Sequence, residues 1–202
     1  MDKLVNATMR RMKKSGYFDD DDNYDVIRFG LELFFMKVII YSLTMIAGII
    51  FGGVISVICF MLVYQPIRGC CGGYHANSRI VCIIVSVLML VSTISLSKIE
   101  INRFQALSLV IVSILCIMIQ FIIAPVDTKY KPFDDVEKNV FRKRSILVLI
   151  LASVVIIIIY ILNWNEPLWA ITLAIVFSTF FLVIGKIKRK KEVASGNENS
   201  DM

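Results

Sequence analysis

Residues 146–162 read ILVLILASVVIIIIYIL, an apolar run with no charge in it. As a helix it approaches the length needed to cross a hydrocarbon layer about 30 Å thick. Five further apolar stretches flank polar turns, at roughly Leu31–Ile50, Val54–Tyr64, Ser78–Leu96, Phe104–Ala124 and Leu168–Ile184. The second is short and runs into Pro66, so it is expected to tilt, or to enter the bilayer and pack against protein without crossing. With 57% apolar residues among 202, the chain is too hydrophobic for an ordinary soluble domain. The expected fold is all-α: a polytopic membrane protein with about six transmembrane helices.

Charge placement sets the expected orientation, because Lys and Arg collect on the cytoplasmic side. Segment 1–30 holds six (Lys3, Arg10, Arg11, Lys13, Lys14, Arg28), and 125–145 holds another six (Lys129, Lys131, Lys138, Arg142, Lys143, Arg144). Five follow in the tail (Lys186, Lys188, Arg189, Lys190, Lys191), and Arg68 and Arg79 lie between the second and third segments. The opposite turns carry only Lys98 and Arg103. Nineteen against two places both termini in the cytoplasm and favours six crossings.

Three parts are expected: a cytoplasmic arm 1–30, a membrane domain 31–185 and a basic, disordered tail 186–202. The arm is polar and mixed in charge, unlike a secretory leader. Its stretch Leu4–Met12 has the pattern of an interfacial helix, and Asp19–Asp22 reads as a solvated acidic run. The net charge of +6 brackets apolar segments and forms no aromatic-laced basic face, so a nucleic-acid partner is not expected. The bilayer is.

The chemistry concentrates in residues 68–82, RGCCGGYHANSRIVC, which contain His75, the single histidine of the chain. Imidazole titrates near neutrality and can take a thiol's proton and return it to a leaving group. Five cysteines (Cys59, Cys70, Cys71, Cys82, Cys116) are an odd number, and two of them sit within apolar spans, so no disulfide framework is expected. Cys82 falls near the start of the third helix, where the helix dipole favours a thiolate. In one continuous helix the seven residues from His75 to Cys82 would rise about 10.5 Å, too far for imidazole to meet sulfur. His75 must therefore fold back over the helix start, or a second subunit must supply the partner. Spacing alone does not rank Cys82 above Cys71. The arrangement C-C-x3-H-x6-C matches no common zinc motif, and no metal or other cofactor is expected.

Arg68 is a cation at the membrane edge, suited to lipid headgroups, an oxyanion or a substrate carboxylate. Lys37 lies inside the first apolar run, where it either snorkels or faces a polar interior. The stretch APVDTKYKP (124–132) ends the fourth segment and puts Asp127, Lys129 and Lys131 on the side of His75; Asp127 is a candidate to orient the histidine.

With these residues in view, the chain resembles the accessory gene regulator B (AgrB) family, membrane peptidases of Gram-positive peptide quorum sensing. The resemblance rests on R-x4-G-x-H-A with a cysteine seven after the histidine, here Arg68, Gly73, His75, Ala76 and Cys82, and on the later A-P-V-D-x-K-x-K-P stretch. It implies a cysteine endopeptidase of the cell membrane with its site on the cytoplasmic side, Cys82 as nucleophile and His75 as general base. Arg68 and Gly73 match positions associated with activity, and Asp127, Lys129 and Lys131 become candidates for substrate or transition-state support. The implied partners are an AgrD-like propeptide, cut near its carboxyl end and closed into a thiolactone or lactone, and a second copy of the chain. The Cys70-Cys71 pair departs from the family pattern. Two other readings stand beside it: a small six-span transporter without peptidase activity, and a metal-handling membrane protein.

Overall fold

The computed structural model describes residues 2–15, 24–73, 79–126 and 134–198. Seven helices account for nearly all of them: α1 (Asp2–Lys14), α2 (Tyr24–Ile50), α3 (Val54–Cys71), α4 (Arg79–Ser97), α5 (Arg103–Ile123), α6 (Asp135–Ile161) and α7 (Asn165–Glu198). Among the described residues there is no β-strand. Helices α2, α3, α5, α6 and α7 are each long and apolar enough to cross a membrane, and α4 carries a shorter apolar stretch, Ile84–Ser97. The protein is thus an all-α, polytopic membrane protein.

The chain forms two compact units, Met1–Ala47 and Gly48–Met202. In the first, α1 buries Val5 and Met9, one turn apart, while Arg10, Arg11, Lys13 and Lys14 line an open concavity at its carboxyl end. Helix α2 exposes Phe34, Val38, Leu43 and Ile46 on several faces, the pattern of a helix whose solvent is apolar. Arg28 pairs with Glu32 across one turn at 3.4 Å, and Lys37 is exposed. The acidic run Asp19–Asp22 lies outside the described residues.

In the second unit, α7 is the central element, packed against α3, α4, α5 and α6. Small residues allow the close approach: Ala170 and Ala174 of α7 are fully buried against Phe60 and Met89, and Ala152 of α6 and Ala106 of α5 do the same elsewhere. Polar side chains pin both ends. At one end, Ser56 (α3) bonds Ser97 (α4) and Glu166 (α7), each at 2.7 Å. There Asn102 and Gln105 also cap α5 reciprocally. At the other end, Ser145 (α6) reaches the end of α3, and Gly73 rests on α7 at Phe181. Helices α3, α5, α6 and α7 each have one terminus at each end of the bundle. Lys98 and Arg103 therefore lie opposite Arg68 and Arg142, the partition that the charge count anticipated.

Helix α3 runs through Pro66 to Cys71, seven residues past the Val54–Tyr64 segment expected from sequence. A proline forfeits one bond, here to the Leu62 carbonyl, and Pro66 sits on the exposed side of the helix. Helix α7 is helical to Glu198, which takes in most of the basic segment read above as a tail.

Between the two ends, α5 and α7 are joined by Gln120, which is fully buried. Its Nε2 faces Thr179 Oγ1 at 2.6 Å, Ser178 Oγ at 2.9 Å and the Ile175 carbonyl at 3.2 Å. Interhelical bonds of this kind contribute about 0.6 kcal/mol each in membranes, and truncation adds a cavity. Gln120→Ala is expected to cost about 2–3 kcal/mol, read as a lower unfolding midpoint of the purified protein in detergent. An unchanged midpoint would show that this contact does not hold α5 to α7.

Candidate functional site

The last carbonyls of a helix lack intrahelical partners, and at a buried helix end each must find another donor. At the carboxyl end of α3 they do. Gly72, at φ +76°, ends the helix and returns its N–H to the Arg68 carbonyl at 3.3 Å. The Cys70 carbonyl accepts from Ser145 Oγ at 2.9 Å, and the Cys71 carbonyl from the Val126 N–H at 3.0 Å. The Gly72 carbonyl accepts from Arg68 Nη1 at 2.9 Å.

This pairing makes Gly72 and Val126 an isolated parallel β-bridge between the chain leaving α3 and the chain leaving α5. Glycine is required here on two counts. Its φ is positive, and a Cβ would drive into the Val126 carbonyl. Gly73, at φ +121°, lies against the Arg68 guanidinium and the α7 backbone at Phe181 and Leu182. That guanidinium also stacks 5.7 Å above the Phe181 ring. Arg68 therefore braces the turn that carries the motif onward.

Because the bridge is parallel, both chains leave it in the same sense. Three residues after Gly72 comes His75; directly after Val126 comes Asp127. Of the residues singled out by sequence, the structure brings Arg68 and Gly73 together. Cys82 is described as backbone only, in the first described turn of α4, and His75, Asp127, Lys129 and Lys131 lie outside the described residues. What joins the two sequence motifs is the Gly72–Val126 bridge, 54 positions apart in the chain.

The neighbouring thiols differ in setting. Cys71 is 2% exposed and packs in the core with Ile67, Val126 and Leu182, the environment of an apolar filler. Cys70 is half-buried.

Sequence reasoning passed over Val126, Arg142, Ser145 and Phe181. Ser145 had a signal: it is a small polar residue at the edge of the apolar run 146–162, where membrane helices place hydrogen-bonding contacts. Arg142 was absorbed into the count of cytoplasmic charges. Its Nη1 donates to the Ala124 carbonyl, at the end of α5, at 2.8 Å.

Comparison with known proteins gives one family. The family described as accessory gene regulator B matches residues 5–182, which include both motif segments. A Clostridium perfringens (strain 13 / Type A) protein named for its likeness, AgrB-like protein 2, is 23% identical over 169 residues, 80% of this chain and 78% of its own. An AgrB-like protein of Listeria monocytogenes serovar 1/2a is 26% identical over 150 residues, 73% of this chain and 72% of its own. No solved structure matches the chain.

Proposed function

Since the chain belongs to the accessory gene regulator B family, and so to the accessory gene regulator system, we propose that it is a membrane cysteine endopeptidase that cleaves and cyclises an AgrD-like propeptide. The observation that carries this reading is the family match across 5–182, which contains the whole Arg68–Cys82 motif. The junction of that motif with the 124–132 stretch at Gly72–Val126 supports it. The site belongs at the inner face of the cell membrane, by the charge distribution, and the protein works as a homodimer.

His75 takes the proton of the Cys82 thiol, and the thiolate attacks the scissile carbonyl. As the C–N bond breaks, the imidazolium returns that proton to the leaving amine, and a thioester to Cys82 remains. A cysteine thiol or serine hydroxyl within the bound peptide then attacks the thioester. His75 carries its proton to the departing Cys82 sulfur, and a ring is released. With a thiol the exchange trades one thioester for another, so little bond energy changes and water exclusion decides ring against hydrolysis. Arg68 and Gly73 hold the turn ahead of His75. Asp127, Lys129 and Lys131 are assigned to orienting the imidazole and binding the peptide.

The decisive experiment is acid-quenched turnover of the full-length protein with an AgrD-like propeptide, followed by mass mapping of the covalent adduct. A peptide thioester on Cys82 is expected. An adduct on Cys70 or Cys71 overturns the assignment, and labelled peptide crossing vesicles uncut favours a transporter.

A further inference from the structure

We propose that α6 supplies two positioning residues, Arg142 and Ser145, that set the register of the two chains entering the catalytic site. The inference rests on Cys82 and His75 being the reacting pair. Its basis is a coincidence of position. The carbonyl held by Ser145 belongs to Cys70, two residues before Gly72; the carbonyl held by Arg142 belongs to Ala124, two residues before Val126. Gly72 and Val126 are the bridged pair, so α6 grips each chain two residues before the bridge.

The spacing also agrees. Residues i and i+3 share a helix face and lie about 4.5 Å apart along the axis, close to the roughly 4.8 Å between paired chains. A helix is stiff on this scale, so it works as a ruler against which both chains are set. Ser145 is 2% exposed, so water does not readily replace its contact, whereas Arg142 is exposed and reaches the buried Ala124 from the surface. The Ser145 hydroxyl shares its single proton between the Cys70 and Phe141 carbonyls and lies within reach of the Cys71 thiol, which ties it to the last turn of α3. A slip of either chain past the other by one residue would shift the bridged pair from which the segments bearing His75 and Asp127 set out. Both contacts are made to backbone carbonyls, so both residues act on the site through the chains that they hold.

The reactivity of the Cys82 thiol reports that register without any peptide. The probe is iodoacetamide, applied from pH 5.5 to 9 to the full-length protein in detergent-permeabilised membranes, with each alkylated cysteine mapped by mass spectrometry. A thiol paired with imidazole reacts well below the range of a free thiol. At pH 6.5, Arg142→Gln and Ser145→Ala are each expected to slow Cys82 alkylation about tenfold, and His75→Ala at least as much. Cys59 and Cys116, within the bundle, should keep their wild-type rates. Wild-type Cys82 profiles in both variants overturn the proposal, even if unfolding midpoints fall. Faster reaction at Cys59 and Cys116 also overturns it, since that marks general loosening. If wild type and His75→Ala coincide, the pairing of Cys82 with His75 is itself wrong, an outcome distinct from failure of the two α6 variants alone.

Discussion

Replacing Cys82 by serine is expected to lower propeptide cleavage at least about a thousandfold, and His75→Ala by about 10²–10⁴-fold, with both proteins still in the membrane at wild-type levels. The two effects have different origins. A serine hydroxyl keeps the shape but holds its proton far more tightly than a thiol, so the attacking anion is scarce and the oxygen ester would be a poorer acyl donor. Alanine at 75 leaves the sulfur in place but removes the group that takes its proton and protonates the leaving amine. Because the two act as a unit, the double variant should be little worse than the more damaged single one. Cleavage would be followed by mass spectrometry after co-expression, and membrane content by immunoblot. Retained cleavage in either single variant would remove the proposed chemistry, and loss through Cys71→Ser in its place would move the nucleophile.

How much of this could be read from the sequence differs by element, and the reason is range. Apolar runs disclosed α2, α5, α6 and α7, because burial in lipid leaves a mark on most residues. They underestimated helix ends. Helix α6 begins at Asp135, eleven residues before the apolar run at Ile146, through VEKNVFRKR, whose glutamate, lysines and arginines are good helix formers in water. Hydropathy reports the surroundings of a helix, not its extent. Pro66 likewise suggested a stop that α3 does not make. At the site, Arg68 and Gly73 were visible as a motif, but their use was not. That the guanidinium spans back to the Gly72 carbonyl and over Phe181 depends on α7, more than 100 residues away. The Gly72–Val126 bridge has no local signature on the Val126 side, since any residue but proline can supply that N–H.

Two glycines of the motif, four residues apart, give contrasting predictions. Gly73→Ala is expected to reduce cleavage by more than about twentyfold. An L-residue at φ +121° costs about 1–3 kcal/mol on its own. The added methyl also meets the Phe181 carbonyl oxygen at 3.1 Å and Leu182 Cα at 3.2 Å, both backbone of the central helix, which has little room to shift. Its third neighbour is the Arg68 guanidinium, which can move only by giving up its bond to the Gly72 carbonyl. Every way of relieving the contact displaces the turn three residues from the imidazole or two from it, and about 2 kcal/mol of misplacement is more than tenfold in rate. Gly69 lies four residues earlier, within α3, with nothing inside 4 Å of its would-be Cβ. There alanine removes backbone freedom from the unfolded chain and should stabilise by about 0.5–1 kcal/mol with cleavage unchanged. Cleavage assays and thermal unfolding of the two variants side by side separate a site effect from a fold effect. Wild-type cleavage by Gly73→Ala would mean that the turn between α3 and His75 need not hold this shape for the chemistry to run.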